Sequence, residues 1–418
     1  MNLNIVKRIL QRKEAQHFVN YYIFTIMGAL VGFYSIPYLT RHIPPENYGM
    51  IGIFLGIVFF MPSLLSFSSN GLQAINIVDQ AESEYKRFRN AYISFVIILS
   101  ICCLAIAVAL SYFWSDFGFV IVTAVIYGCL QLCSSIHSTE LIQHGKPTQF
   151  GLFNFSTIAL TFLLTVVSIS GFHLDWKYRI YSIIITEAIM VILRFFLFSD
   201  IARSFKFTID KKVIKLLLRY GWPLMFSVAA GWIINQSDRF ILLHYYSLKE
   251  VGIYAAAYGI ASIITTFNQT MIRVVAPPIY QNLAKRVGRS FITKLNVLYS
   301  IVILGIAAAG CLCLHLFWHL FLGAKYGASL PVIYVLCFAQ AFFGIYMTLG
   351  IVIDYFKQNK LKTMIVWVSA IISICTSILL IPVLGAYAPA VGSFFSFLIL
   401  AIITYIYSYQ LLKKYNVT

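Results

Sequence analysis

The chain has 418 residues, of which 60% are hydrophobic and only 11% charged, and its mean hydropathy is +0.85. A soluble domain carries roughly a quarter charged residues, so this composition excludes a water-exposed globular protein and points to a surface that meets lipid. The net charge of +17 is spread over short connections between apolar runs. None is long enough to fold into a nucleic-acid module, so no nucleic-acid partner is expected. The basic residues fit loops beside anionic lipid.

About 20 apolar residues cross a bilayer. Twelve such segments follow in chain order, at roughly 18–40, 48–70, 91–112, 117–138, 151–170, 180–199, 220–243, 252–275, 293–314, 329–352, 363–383 and 387–411. The first follows Lys7, Arg8, Arg12 and Lys13 and has no small-residue cleavage site, so it reads as a retained span and not as a signal peptide. The second runs into the polar tail Ser68-Ser69-Asn70. The longest connection, Asp200 to Arg219, contains Lys211-Lys212-Val213-Ile214-Lys215 and reads as a basic amphipathic helix on the cytoplasmic surface. The expected organisation is all-α: an N-terminal six-helix bundle over 1–199, a basic linker over 200–219 and a C-terminal six-helix bundle over 220–418.

Lys and Arg orient the segments. With the N-terminus in the cytoplasm, 23 of the 31 basic residues fall in inner segments and five in outer loops, while Arg194, Arg239 and Arg273 lie within spans. One helix more or fewer would scramble that alternation, so both termini are expected in the cytoplasm. Cys102, Cys103, Cys129, Cys133, Cys311, Cys313, Cys337 and Cys375 all lie in apolar stretches without metal-ligand spacing and read as small buried hydrophobes.

The two halves share a faint repeat. Pro45-Glu46-Asn47-Tyr48-Gly49 precedes the second segment, and Lys249-Glu250-Val251-Gly252 precedes the eighth. Superposing Gly49 on Gly252 sets Pro62, Ser66 and Asn70 against Thr265, Gln269 and Arg273, each set spaced as one helical face. Like-oriented six-helix repeats are a transporter architecture.

Further runs carry a family likeness: Tyr220-Gly221-Trp222-Pro223-Leu224, Asn235-Gln236-Ser237-Asp238-Arg239-Phe240-Ile241-Leu242, and Glu250-Val251-Gly252-Ile253-Tyr254 through Tyr258. Leu39-Thr40-Arg41 in the first half and Lys357-Gln358-Asn359-Lys360 with Ile381-Pro382 in the second belong to the same set. Together they resemble the Wzx-type O-antigen flippases, of the superfamily that also holds multidrug (MATE) exporters and lipid II flippases. The resemblance spans nearly the whole chain. It implies a MATE-like fold of two pseudo-symmetric bundles in the bacterial inner membrane. It further implies translocation of an undecaprenyl-diphosphate-linked oligosaccharide to the periplasmic leaflet by alternating access.

Charges within spans are costly and are functional candidates by default. A lipid-linked diphosphate sugar needs cations for its phosphates, to which the Arg fork is suited, and polar groups for its hydroxyls. Arg273 and Arg239 are the candidate diphosphate ligands, with Gln269, Asn70 and Ser66 as polar partners lining a cleft. Arg194 reads as a cation snorkelling to the interface. Glu187 and Asp238 are candidates for a coupling proton or sodium ion; no cofactor and no metal centre is called for. The implied partners are the lipid-linked oligosaccharide, membrane lipid and other polysaccharide-assembly proteins such as the polymerase. Two alternatives have their own signatures. A multidrug or cation antiporter needs fewer intramembrane cations than Arg194, Arg239 and Arg273 supply. A polytopic polymerase needs a long external loop with catalytic residues, and the external connections here are short, so no enzyme activity is expected.

Overall fold

The computed structural model describes residues 13–197 and 205–416, with side chains from residue 23 onward. Lys7, Arg8 and Arg12 and the linker positions 200–204 lie outside these residues. Among the described residues every long element is a helix and there is no strand. That is the expected outcome where lipid offers the backbone no hydrogen bonds.

The helices are α1 Lys13–His42, α2 Pro45–Val58, α3 Met61–Leu65, α4 Asn70–Asp79, α5 Glu82–Phe113, α6 Ser115–Gln143, α7 Pro147–Val166 and α8 Lys177–Leu197. They continue with α9 Lys211–Tyr245, α10 Leu248–Ala284, α11 Arg289–Phe321, α12 Leu330–Tyr355, α13 Asn359–Leu384 and α14 Ala388–Lys414. Proline occupies the first turn of α2, α3, α7, α12 and α14, where its missing N–H costs nothing. Ten stretches are long and apolar enough to cross a membrane, and the last of them, 56 residues long, contains both α13 and α14. The 21-residue α8 carries Lys177 and Arg179 in its first turn and Glu187 and Arg194 further along an otherwise apolar run. With α2 to α4 taken as one passage, each of the twelve expected segments is met by helix among the described residues. The chain is an all-α, multi-pass membrane protein.

Two expectations need correction. The second segment is not one helix: α2 ends at Val58, and Phe67 and Ser68 take left-handed φ of 51° and 52° before α4 starts at Asn70. Ser66 follows the end of α3 and Asn70 opens α4, so Pro62, Ser66 and Asn70 do not form a stripe on one helix face. The strain at Phe67 is held in place by α9, whose Gly221 packs so closely that a Cβ there would lie 2.0 Å from the Phe67 carbonyl oxygen. The basic run Lys211–Lys215 is likewise not a separate surface helix. It opens α9, and Val213, Ile214 and Leu217 on that first stretch pack into a core with Leu65, Tyr85, Phe88, Tyr92, Leu132 and Ile136. Asp210 caps this helix: its Oδ1 accepts the Lys212 N–H at 2.9 Å and its Oδ2 accepts from Arg87 at 2.9 Å.

The chain forms two compact units. One holds the chain to Ser35 and Phe54–Val228; the other holds Ile36–Ile53 and Ala229–Thr418. In the first, α6 packs on α5 and α8, and α7 packs on α8. In the second, α12 is central, in contact with α10, α11 and α14, and α13 lies along α14. Small residues permit that last approach. Ser396 Oγ donates to the Ser369 carbonyl at 2.7 Å, and a Cβ on Gly392 would meet Ser377 Oγ at 2.2 Å. Small residues of this kind are the usual means of close helix packing in lipid.

The glycines superposed by the sequence repeat meet each other within the second unit. A Cβ on Gly252 would stand 1.8 Å from the Pro45 carbonyl oxygen, and one on Gly49 would stand 2.2 Å from that of Leu248. The first turns of α2 and α10 thus touch backbone to backbone. Close by, Arg41 donates to the carbonyls of His319 and Leu320 at 3.1 and 2.9 Å, which otherwise end α11 without partners.

Candidate functional site

Polar side chains inside apolar helices gather in a few places. One such group in the second unit surrounds Asp238 and Arg239, about two turns before the end of α9, where they are 1% and 5% exposed. Adjacent positions on a helix point about 100° apart, and the two residues accordingly find different partners. Asp238 Oδ2 accepts from the hydroxyls of Tyr254 and Ser393, the latter at 2.6 Å. Arg239 donates to Gln236 Oε1, and its guanidinium carbon lies 4.7 Å from the centre of the Tyr258 ring. Tyr258 in turn donates to Asn235 Oδ1 at 3.2 Å. Asp238 Oδ1 and Arg239 Nε are buried and make no hydrogen bond among the described residues. A carboxylate oxygen and a guanidinium N–H are therefore left without partners on neighbouring residues in a buried region, where unpaired polar groups are expensive.

One helix away the polar path continues. Thr265 Oγ1 donates to Gln340 Oε1 at 2.6 Å, Asn268 Nδ2 donates to the Gln340 carbonyl at 3.1 Å, and Tyr299 donates to Asn268 Oδ1 at 2.6 Å. Gly344 makes this possible, since a Cβ there would stand 2.1 Å from Asn268 Nδ2. Gln269 and Arg273 lie further along the same helix and turn away from Asn268, with Thr265 between the two directions. Both are exposed, as is Thr266, and their spacing puts the three on one side of α10. A polar, cationic strip in the middle of an apolar helix suits a water-lined passage and not lipid.

In the first unit, Asn70 and Ser66 come together around Tyr92. The Tyr92 hydroxyl, which lies close to Ser66, donates to Asn70 Oδ1 at 2.8 Å, and Asn70 Nδ2 donates to Ser135 Oγ at 3.3 Å. Nearby, Glu140 accepts from Tyr85 at 2.8 Å and pairs with Arg89 at 3.4 Å. Glu187, 4% exposed on α8, lies within electrostatic range of Arg194 and Tyr127. Arg194 does not snorkel. It is 7% exposed, donates to the Ser134 carbonyl at 2.9 Å and stacks 5.0 Å from the Phe153 ring centre. The inward pull of that carbonyl and ring outweighs the interface.

The candidate residues thus fall into separate groups. Arg239 and Asp238 share one buried pocket of polar atoms; Gln269 and Arg273 share an exposed face of α10; Ser66 and Asn70 share Tyr92; Glu187 stands with Arg194. Sequence reading missed Tyr254, Ser393, Gln340, Asn268 and Tyr92. Asn268 and Gln340 carry a usable signal, as carboxamides in apolar runs; the tyrosines and Ser393 carry none. The cysteines are less buried than expected, with Cys102, Cys133, Cys313 and Cys375 exposed on helix surfaces. Among the described residues no three His, Cys, Asp or Glu side chains gather as metal ligands would.

A helical, multi-pass fold with charged side chains buried within its apolar helices defines an integral membrane protein, and solved structures share this fold. An inward-facing multidrug resistance MATE family transporter of the MOP superfamily matches with a TM-score of 0.68 at 13% identity over 94% of both chains. The lipid II flippase MurJ in its inward closed conformation matches with a TM-score of 0.61 at 16% identity, over 96% of this chain and 90% of that one. Residues 16–283 match the polysaccharide biosynthesis protein family, and the chain belongs to that family. Two Haemophilus influenzae proteins are relatives. Lsg locus putative protein 1 is 22% identical over 281 residues, or 64% of this chain and 66% of the relative. An uncharacterized membrane protein is 23% identical over 272 residues, or 63% and 64%. The chain therefore spans just under two thirds of the curated relatives that it matches.

Proposed function

We propose that this chain is a flippase that carries an undecaprenyl-diphosphate-linked oligosaccharide, the repeat unit of O-antigen or a related surface polysaccharide, from the cytoplasmic to the periplasmic leaflet of the inner membrane. Membership of the polysaccharide biosynthesis family supports the class of cargo. The observation that carries the reading to residues is the exposed strip Thr266, Gln269 and Arg273 on α10. A guanidinium there offers a bidentate fork to a diphosphate, and the neighbouring hydroxyl and carboxamide offer hydrogen bonds to sugars. Arg239, held by Gln236 and Tyr258, is a second cation, placed deeper.

In this reading two helical bundles alternate in access, with both termini in the cytoplasm. Asp238 and Glu187 are the coupling candidates. Asp238 suits a proton or sodium ion because one of its carboxylate oxygens has no partner while the other is fixed by two hydroxyls. The test is surface glycan in cells whose only copy is Arg273→Ala, compared with wild type at matched membrane levels. Loss of surface glycan with build-up of the lipid-linked repeat unit supports the site; full export removes Arg273 from it.

A further inference from the structure

A lipid-facing feature lies in the second unit, apart from all of these residues. Helices α11 and α14 both pack on α12, and between them runs a trough of about 240 Å³. Its α14 wall runs from Leu398 to Leu412, seven residues on one face, which at 1.5 Å per residue makes it about 21 Å long. One leaflet contributes about half of a ~30 Å hydrocarbon core, so the trough accommodates a lipid chain along its axis.

The trough is graded from end to end. At one end Phe342, Ile345, Leu398 and Ile402 leave it wholly apolar. At the other, α11 contributes Thr293, Asn296 and Ser300, and α14 contributes Ser408 and Tyr409. Asn296 is 8% exposed and its Oδ1 has no partner among the described residues. Arg289 stands at this polar mouth, its guanidinium carbon 4.5 Å from the Tyr409 ring centre. Lys285 and Arg286 are exposed in the turn before α11, and Lys294, Lys413 and Lys414 are exposed on the ends of α11 and α14. No Asp or Glu occurs in 281–298 or 403–416, and Asp354, at the end of α12, is bound by Lys362 at 2.7 Å. Cations and hydrogen-bonding groups at one end and hydrocarbon walls at the other complement a single amphiphile with an anionic head.

We propose that this trough holds an anionic glycerophospholipid of the surrounding leaflet, with its phosphate at Arg289 and one acyl chain between α11 and α14. The three walls belong to one compact unit, so the trough keeps its shape while a transport cycle rearranges other parts. That suits a resident lipid and not a cargo that must leave on the far side.

Native mass spectrometry of the full chain, delipidated and titrated with phosphatidylglycerol or phosphatidylcholine, tests this. The expected result is preferential retention of phosphatidylglycerol. Arg289→Ala should lower that preference about fivefold, the equivalent of about 1 kcal/mol for one basic residue at an anionic surface. Arg289→Lys should keep most of it. Ile402→Trp, which fills the apolar end from a half-exposed position, should reduce both lipids alike. Unchanged thermal unfolding of each variant without lipid shows that the fold is intact. Equal binding of both lipids to wild type, an unchanged preference in Arg289→Ala, or co-purification of a polyprenyl phosphate in place of phospholipid would each overturn the proposal.

Discussion

Replacing Asp238 separates a structural carboxylate from a coupling one. Its Oδ2 accepts two hydroxyl hydrogen bonds in a region 1% exposed. Asp238→Ala leaves the Tyr254 and Ser393 hydroxyls buried without their acceptor. At roughly 1–3 kcal/mol for each stranded group, the cost is about 2–6 kcal/mol. Asp238→Asn keeps the shape and retains a carbonyl oxygen for both donors, and its new NH₂ takes the place of an oxygen that has no partner. Ser393→Ala and Tyr254→Phe each remove one donor and should cost about 1 kcal/mol. Thermal unfolding in detergent and surface glycan in cells are measured together. The expected pattern is a strongly destabilised Asp238→Ala and an Asp238→Asn close to wild type in stability but without export. Full export by Asp238→Asn would refute the coupling role, and an Asp238→Ala as stable as wild type would refute the buried-acceptor account.

Gly252→Ala places a methyl 1.8 Å from the Pro45 carbonyl oxygen, and the two backbones must part by more than an ångström; overpacking of this kind costs about 1–3 kcal/mol, so unfolding temperature and export should both fall, whereas the exposed Lys249→Ala should leave them unchanged. Asp210 lies outside the spans, and the Lys212 N–H, with help from Val213 and Arg87, holds its carboxyl below the usual carboxylate range. Because the folded form binds its proton less readily, its stabilisation is present at neutral pH and lost as the pH falls below about 4; the unfolding temperatures of wild type and Asp210→Asn should differ at pH 7 and converge in acid. Reporter fusions after residues 210 and 286 should read cytoplasmic and one after 175 external; a cytoplasmic reading at 175 would overturn the topology.

The number and placement of helices were legible because they rest on run length and Lys/Arg spacing, both local properties. The break at Phe67 and Ser68 was not, because it depends on Gly221, distant in sequence, lying against the Phe67 carbonyl; the polar tail Ser68-Ser69-Asn70 was its only trace. The basic start of α9 was misread because Lys211, Lys212, Lys215 and Arg219 interrupt the apolar run, yet one helix runs from Lys211 through Pro223 to Tyr245. Asp238 and Arg239 stood out as charges in an apolar run. Their partners did not, since Tyr254 and Ser393 are ordinary residues until the fold brings them to the carboxylate. Arg194 was misplaced for the same reason: its carbonyl partner lies 60 residues away.

The most direct test of the account is reconstitution. Purified chain in liposomes that carry a polyprenyl-diphosphate-linked oligosaccharide is compared with protein-free liposomes, and the glycan exposed on the outer leaflet is followed by cleavage with an added, impermeant glycosidase. The account predicts that the cleavable fraction rises past the half initially outside when wild-type chain is present, and much more slowly with Arg273→Ala. A cleavable fraction that stays at the protein-free level with well-folded wild-type chain, under an imposed proton or sodium gradient as well as without one, would contradict it.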